Sequence, residues 1–245
     1  MSGGGWSDSR PLFEGLGKAL PAGWTAHRLF YHDPEAKPAT DPPNEESLVR
    51  RLRDGCEFVF HGGHGSDDGW DGCLSTGSLP KFAGAPSTPI LFSAGCSTAT
   101  FAALPPYQAY QDVQGAEHKG TDAGEVFTAP PPFPAPYQAG RFDRTGLGET
   151  LLRGGPGGAV AYIGCNTGSQ PCALSLIEGF VHALARDEKD ARLGDAWREA
   201  VTFYHKKERL GTLVPNDDWY PPSIFFQGMK FMLFGDPSLC VRRAD

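Results

Sequence analysis

Two short polar segments carry the residue types that nucleophilic catalysis needs. CEFVFHGGHGSDDGW, residues 56–70, sets His61 and His64 among glycines, and PILFSAGCSTATF, residues 89–101, presents Cys96. A thiol is only slightly ionised at neutral pH, and the thiolate is the nucleophile. A neighbouring imidazole can stabilise that thiolate as imidazolium and then protonate a leaving amine. Glycines beside His64 let backbone N–H groups approach a reacting carbonyl, and the N–H groups of Gly65 and Cys96 are the expected oxyanion donors. Blander readings exist for the same residues. A cysteine after an apolar run is commonly a buried small hydrophobe, a His-Gly pair is commonly a turn, and His61, His64, Cys73 and Cys96 have the donor set of a tetrahedral zinc site. No paired ligand spacing supports zinc. Finding both motifs in order, each at the end of an apolar run, favours the thiol–imidazole pair.

Positioning them requires a rigid scaffold, and the pattern around them supplies one. Apolar runs at 58–60, 90–92, 159–163 and 231–234 read as buried strands, with a fifth around Leu29 to Tyr31. Leu48, Val49 and Leu52 fit a short helix ending at Gly55. Leu176, Ile177, Phe180, Val181 and Leu184 form one apolar stripe, which predicts a helix over 173–186, and 193–210 reads as another. Strands alternating with amphipathic helices predict an α/β fold, doubly wound on a mostly parallel sheet with helices on both faces. Ligands in such sheets bind beyond the carboxyl ends of the strands, where both motifs fall. The 32 residues from His64 to Cys96 suit one crossover between adjacent strands.

The chain has 245 residues, enough for one α/β domain with a buried core. Its formal charge of −7 argues against nucleic acid or an anionic membrane surface as partner. No apolar run approaches the ~20 residues that span a bilayer, and the first residues lack the apolar segment of a signal peptide. A cytoplasmic protein is the expectation, or a secreted one if the chain is a processed fragment. The six cysteines are scattered and read as free thiols; Cys56, Cys165 and Cys240 adjoin apolar runs and are expected to be buried. Residues 102–146, rich in Pro, Gly, Ala and Gln, carry no core-forming period and read as a long surface insertion, a lid or processing loop.

Four segments in order resemble gingipain-type peptidases of the caspase-like superfamily. GHGSDDGW at 63–70 is similar to their histidine signature, and the run into Cys96 with Ser97, Thr98 and Phe101 to their nucleophile segment. GLGETLLRGGPGGAVAYIG at 146–164 and FMLFGDPSLCV at 231–241 resemble the elements that follow. One departure is that Gly95 separates Ala94 from Cys96, where the family commonly has Ala directly before the nucleophile. The resemblance implies one caspase-like peptidase domain over 1–245, a cysteine endopeptidase acting through a thioester. It selects His64 over His61 as the partner of Cys96, with Gly65 and Cys96 as oxyanion hole. It aligns Asp8 with an aspartate lining the primary specificity pocket, hence cleavage after Arg, with Lys second; a helix cap is the rival role for Asp8. It implies no cofactor, allows structural calcium, and assigns no third catalytic residue. The family's first core strand has no counterpart before Asp8, so the chain's own N-terminal fragment or another polypeptide would supply it. Protein or peptide substrates are the expected partners, with processing as the activating event. The alternatives are a catalytically silent scaffold and a transpeptidase sharing the same acyl-enzyme.

Overall fold

The computed structural model describes residues 8–21, 23–30, 41–136, 141–142, 145–186, 191–214 and 220–241. In chain order the elements are α1 (Arg10–Ala19), α2 (Glu45–Asp54), β1 (Phe58–His61), a short hairpin of β2 (Gly69–Trp70) and β3 (Leu74–Ser75), and β4 (Ile90–Ser93). A second hairpin of β5 (Tyr110–Gln111) and β6 (Glu117–His118) follows. Then come α3 (Leu147–Arg153), β7 (Ala161–Cys165), α4 (Leu174–Leu184), α5 (Leu193–Lys207), α6 (Tyr220–Lys230) and β8 (Phe231–Gly235).

The four apolar runs pair as one sheet in the order β1-β4-β7-β8, the first three parallel and β8 antiparallel to β7. Their side chains alternate between two cores. Phe92, Ile163 and Phe231 face α1, α4 and α5, whereas Leu91 and Tyr162 face α2 and α3. Helices cover both faces, so these strands read as unbroken apolar runs. The α4 stripe puts Leu176, Ile177 and Phe180 out of solvent entirely, and each contributes about 1.5–3 kcal/mol. At Gly179 the two helices touch: a Cβ there would lie 2.6 Å from Phe203 Cβ.

Local chemistry sets the approach to β1. Asn44 Oδ1 accepts from Ser47 N–H (2.9 Å) and starts α2, with Glu45 and Glu46 in its first turn and Arg51 and Arg53 in its last. Those charges complement the helix dipole. Gly55 ends the helix at φ 97°, a conformation that side-chain-bearing residues rarely adopt, and turns the chain into β1.

The strand expected around Leu29 to Tyr31 is not part of the sheet. Leu29 makes a single parallel bridge with Asp41, and Tyr31 lies outside the described residues. Between that segment and the outer edge of β1 runs a groove of about 840 Å³, lined by Phe13, Leu16, Trp24, Leu48, Phe58 and Val59. Among the described residues β1 has no partner on that edge.

Among the described residues, segment 102–146 adds no strand to the central sheet, yet it has local order that its composition conceals. Tyr110 is buried in its hairpin and stacks on His118. His118 Nδ1 meets Glu125 Oε1 at 2.8 Å and Nε2 meets Asp112 Oδ2 at 3.2 Å. Polar contacts made the order here, and hydrophobic periodicity does not register them. Of the three cysteines beside strands, Cys165 is buried while Cys56 and Cys240 are partly exposed, and all six are unpaired. Among the described residues no helix is long and apolar enough to cross a membrane.

Candidate active site

The sheet delivers both motifs to one end. β1 and β4 are adjacent and parallel, with His61 opposite Ser93 at their carboxyl ends. The two following turns touch through their backbones. A Cβ on Gly95 would lie 3.1 Å from Gly65 N, and one on Gly65 would lie 3.2 Å from Cys96 O. Gly95, the departure from the family pattern, is therefore what lets the His64 loop lie against the Cys96 turn. Among the described residues no backbone carbonyl accepts from the N–H of Gly65 or of Cys96.

Cys96 is half-buried, and its turn is bound to the segment after β7. Ser97 N–H donates to Thr167 O (2.8 Å), Ala99 N–H to Cys165 O (2.9 Å) and Thr100 Oγ1 to Asn166 O (3.0 Å). Ser97 sits at φ 55°, an unfavourable conformation for a residue with a Cβ. The sulfur receives the N–H of Ser169 at 3.3 Å, and the thiol points at Ser169 O at 3.7 Å.

His61 and His64 have different environments. Burial, then the nearby His64, pushes His61 down to about 3, so it stays neutral near pH 7 and cannot relay a proton there. Its hydrogen bonds agree. Gly95 N–H donates to Ser93 Oγ at 3.1 Å, and Ser93 in turn lies 2.9 Å from His61 Nδ1, which fits a hydroxyl donating to an unprotonated nitrogen. The imidazole stacks on Trp70 with ring centroids 4.5 Å apart, and Trp70 Nε1 donates to Tyr162 Oη at 3.2 Å. Burial pushes that tyrosine up to about 12, and it serves as a neutral strut. His64 occupies a tight turn, closed by Asp71 N–H to its carbonyl (3.2 Å) and by Ser66 N–H to Gly69 O (2.9 Å). It is partly exposed.

Burial raises four of the other thiols, Cys56, Cys73, Cys165 and Cys172, and so makes them poorer nucleophiles near neutral pH. Burial pushes Cys73 up to about 11 and Cys165 up to about 12, and Cys73 Sγ donates to Pro43 O at 2.8 Å. That bond takes Cys73 out of the zinc reading. Among the described residues no group of three or more His, Cys, Asp or Glu is arranged to hold a metal ion.

Asp8 stands just before α1 and opens onto the groove beside β1. Its carboxylate accepts Arg10 N–H (3.0 Å) and the Arg10 guanidinium (Nε at 2.8 Å, Nη2 at 2.6 Å), and this pairing holds it below the usual carboxylate range. Asp8 is not the anticipated cap: Ser9 is the N-cap of α1 and makes no side-chain cap bond, while Asp8, one residue earlier, accepts the N–H of the first helical residue. Both side chains are more than a third exposed, and such a pair contributes only about 0–1 kcal/mol.

Two residues at the site were not foreseen: Ser169, against the sulfur, and Gln227 of α6, whose Nε2 donates to Ser169 Oγ at 3.0 Å. The apolar runs draw attention to the first strand ends, whereas these come from a loop and a helix over 70 residues further on. A glutamine within an otherwise apolar stretch, IFFQGM, was the available signal.

The family model "Peptidase family C25" matches residues 1–128 and 138–242. The chain belongs to peptidase family C25. Two solved structures share the fold of this C25 chain. The crystal structure of the Arg-specific cysteine proteinase gingipain R (RgpB) is 17% identical, with a TM-score of 0.52 over 81% of this chain and 36% of that one. The complex of Porphyromonas gingivalis RgpB pro- and mature domains is 17% identical, with a TM-score of 0.53 over 81% and 37%. The C25 chain spans little more than a third of the length of those chains. No curated protein matches it.

Proposed function

We propose that this chain is a cysteine endopeptidase in which Cys96 is the nucleophile and His64 its acid–base partner. The observation that carries the reading is the backbone contact between the His64 loop and the Cys96 turn, together with the Gly65 and Cys96 N–H groups, neither of which donates to a backbone carbonyl among the described residues. The Cys96 thiolate attacks the scissile carbonyl carbon, and the resulting oxyanion takes those two N–H groups. His64 gives its proton to the leaving amine as the C–N bond breaks, and a thioester remains. A water molecule, deprotonated by His64, then attacks the thioester, releasing the carboxylic acid and restoring the thiol. No metal or cofactor enters these steps.

Cleavage after Arg is the finer proposal. Asp8 can accept two parallel N–H bonds from a guanidinium, whereas Lys offers a point charge. Arg10 already makes that fork, Nε to Oδ1 and Nη2 to Oδ2, so an incoming arginine exchanges with it, and the small worth of an exposed pair makes the exchange inexpensive. RgpB forms a complex between its pro- and mature domains. By analogy, the groove beside β1, largely apolar and flanked by a strand edge that is unpaired among the described residues, suits an extended strand from the chain's own N-terminal fragment or from another polypeptide. Segment 102–146 is the candidate lid or processing site.

The test is cleavage-site profiling of a proteome with wild-type, Cys96→Ala and His64→Ala proteins. Cys96→Ala should abolish cleavage and labelling by an electrophilic peptide, and His64→Ala should slow turnover about 10²–10⁴-fold. Labelling of wild type without any cleavage, even after processing, points to the silent scaffold. Products ligated to added amines instead of hydrolysed point to a transpeptidase. Labelling that moves to Cys73 or Cys165 in Cys96→Ala refutes the nucleophile assignment.

A further inference from the structure

Gln227 stands out among the buried polar groups. It is fully buried on α6, surrounded by apolar neighbours in sequence. Its Nε2 makes one hydrogen bond, to Ser169 Oγ, and its Oε1 is buried with no partner among the described residues. Exchanging the two amide atoms does not cure this, because Ser169 Oγ can then donate to Oε1 and leaves the nitrogen unpaired. A methionine would fill the same space with no orphan atom. The single bond to Ser169 is therefore the one interaction in the described structure that accounts for a glutamine here.

Ser169 is the residue whose backbone meets the nucleophile. Its N–H lies 3.3 Å from Cys96 Sγ, and its carbonyl lies 3.7 Å away on the thiol's proton side. The neutral thiol uses both groups. The thiolate gains from the N–H and is repelled by the carbonyl, so a small rotation of this peptide decides which form is favoured. Nothing bulky fixes that rotation from Gly168, about which a Cβ would meet empty space. The buried side chain of Ser169 is held from α6 by Gln227, and Lys230 Nζ holds Gly168 O at 3.2 Å from the same helix. Among the described residues, the charged or titratable groups that act on this region are Lys230 on α6, Cys165 at the end of β7, which interacts with both Cys96 and Lys230, and Cys172, which interacts with Lys230 and Glu208.

We infer that Gln227 is a positioning residue: through Ser169 Oγ it orients the Ser169 N–H toward Cys96 and so favours the thiolate. The inference rests on Cys96 being the nucleophile. α6 thereby becomes part of the catalytic apparatus without touching substrate.

The experiment measures the rate of Cys96 alkylation by iodoacetamide from pH 5 to pH 10, with peptide mapping to confirm the site. It compares wild type, Gln227→Met, Ser169→Ala and the double variant, with calorimetry on each. Gln227→Met and Ser169→Ala should each slow alkylation about 3- to 10-fold at pH 6 and leave the rate at pH 10 unchanged, because only the thiolate fraction changes. The double variant should be no slower than the worse single one, since both remove one interaction. Folded Gln227→Met with a wild-type profile overturns the inference. So does an effect of Gln227→Met that Ser169→Ala, which leaves α6 intact, fails to reproduce. A wild-type Cys96 that reacts at pH 6 no faster than a free cysteine overturns the nucleophile assignment itself, and a positional failure leaves that rate high.

Discussion

Gly65→Ala isolates the contact on which the proposed chemistry depends. Gly65 has no positive φ, so alanine is tolerated by the backbone and the effect is one of space. The added Cβ would lie 2.5 Å from Thr98 Cγ2, 3.2 Å from Cys96 O and 3.3 Å from Gly69 O, against ordinary contact from 3.4 Å. The largest overlap is 3.4 − 2.5 = 0.9 Å. Thr98 cannot retreat. It is fully buried, its carbonyl accepts Gly148 N–H (3.2 Å), and its hydroxyl lies 3.4 Å from Gly95 O. The displacement of roughly 1 Å therefore falls on the histidine loop, and a misplacement of that size can cost about 10²-fold in rate. Overpacking of this kind destabilises by about 1–3 kcal/mol, which in a domain of this size lowers Tm by about 2–12 °C. The assay is kcat/KM on a fluorogenic peptide with Arg at P1, alongside calorimetry. Thr98→Ser removes Cγ2 and should restore part of both quantities in the double variant; the two carbonyl contacts keep the rescue incomplete. Wild-type kcat/KM and Tm in Gly65→Ala would refute the reasoning, as would a Thr98→Ser variant that is active alone and rescues nothing.

Asp8→Asn should depress turnover of the Arg substrate far more than that of a substrate with a neutral P1, whereas Arg10→Ala, which frees the carboxylate, should lower KM for Arg; equal activity of Asp8→Asn and wild type on Arg leaves Asp8 a helix-start residue. The His118 cluster gives segment 102–146 a pH window. Hydrogen bonds donated to Glu125 and then Asp112 raise His118 above 6.5, so its stabilisation is complete below that value and lost as pH rises through the raised one. Glu125 is lowered below 4.5, chiefly by His118; for Asp112 burial is the largest single effect and raises it, but the bonds from His118, Ala116 N–H and Gln114 N–H together bring it below 3.8, so their stabilisation is lost as pH falls. Limited proteolysis should therefore nick the segment slowest between about pH 5 and pH 6.5, and a pH-independent nicking rate in wild type matching that of His118→Gln would count against the latch. His61 runs the other way: its value is depressed by burial, so the unfolded chain binds its proton first and stability falls as pH drops from 6.5 toward about 3. His61→Phe should flatten that part of the acid-unfolding curve, and an unchanged curve would show that His61 does not report on it.

Much of this was readable beforehand wherever the signal was hydrophobic. Strands expected at 58–60, 90–92 and 231–234 each extend by one residue, and the last becomes β8, Phe231–Gly235. The run at 159–163 begins two residues later because Ala159 and Val160 still belong to the turn after α3, where Ala159 N–H bonds Leu151 O. The helix of 193–210 ends at Lys207, since Arg209 takes a left-handed conformation at φ 56°. Polar order escaped the reading. The Asp112–His118–Glu125 cluster, the Ser93–His61 bond and the Gln227–Ser169 bond join residues by side-chain hydrogen bonds that no periodicity announces. Leu29 fits a strand by composition but borders a groove, and a strand needs a neighbour to pair with.

Where segment 102–146 leaves the fold and where it returns are almost the same place. A Cβ on Gly146 would lie 2.8 Å from Thr100 O, and Leu147 N–H is bound to Asp67 O at 2.6 Å. Tension, crowding or cutting within the segment therefore transmits little force to the nucleophile turn, because the exit and the entry are each fastened independently. Lengthening it costs only about 0.6 kcal/mol per doubling. New chain ends opened in it, as in a circular permutant, should leave the sheet and the Cys96 turn undisturbed, so the site of the longest departure from the fold is also the one at which the chain is most easily re-engineered.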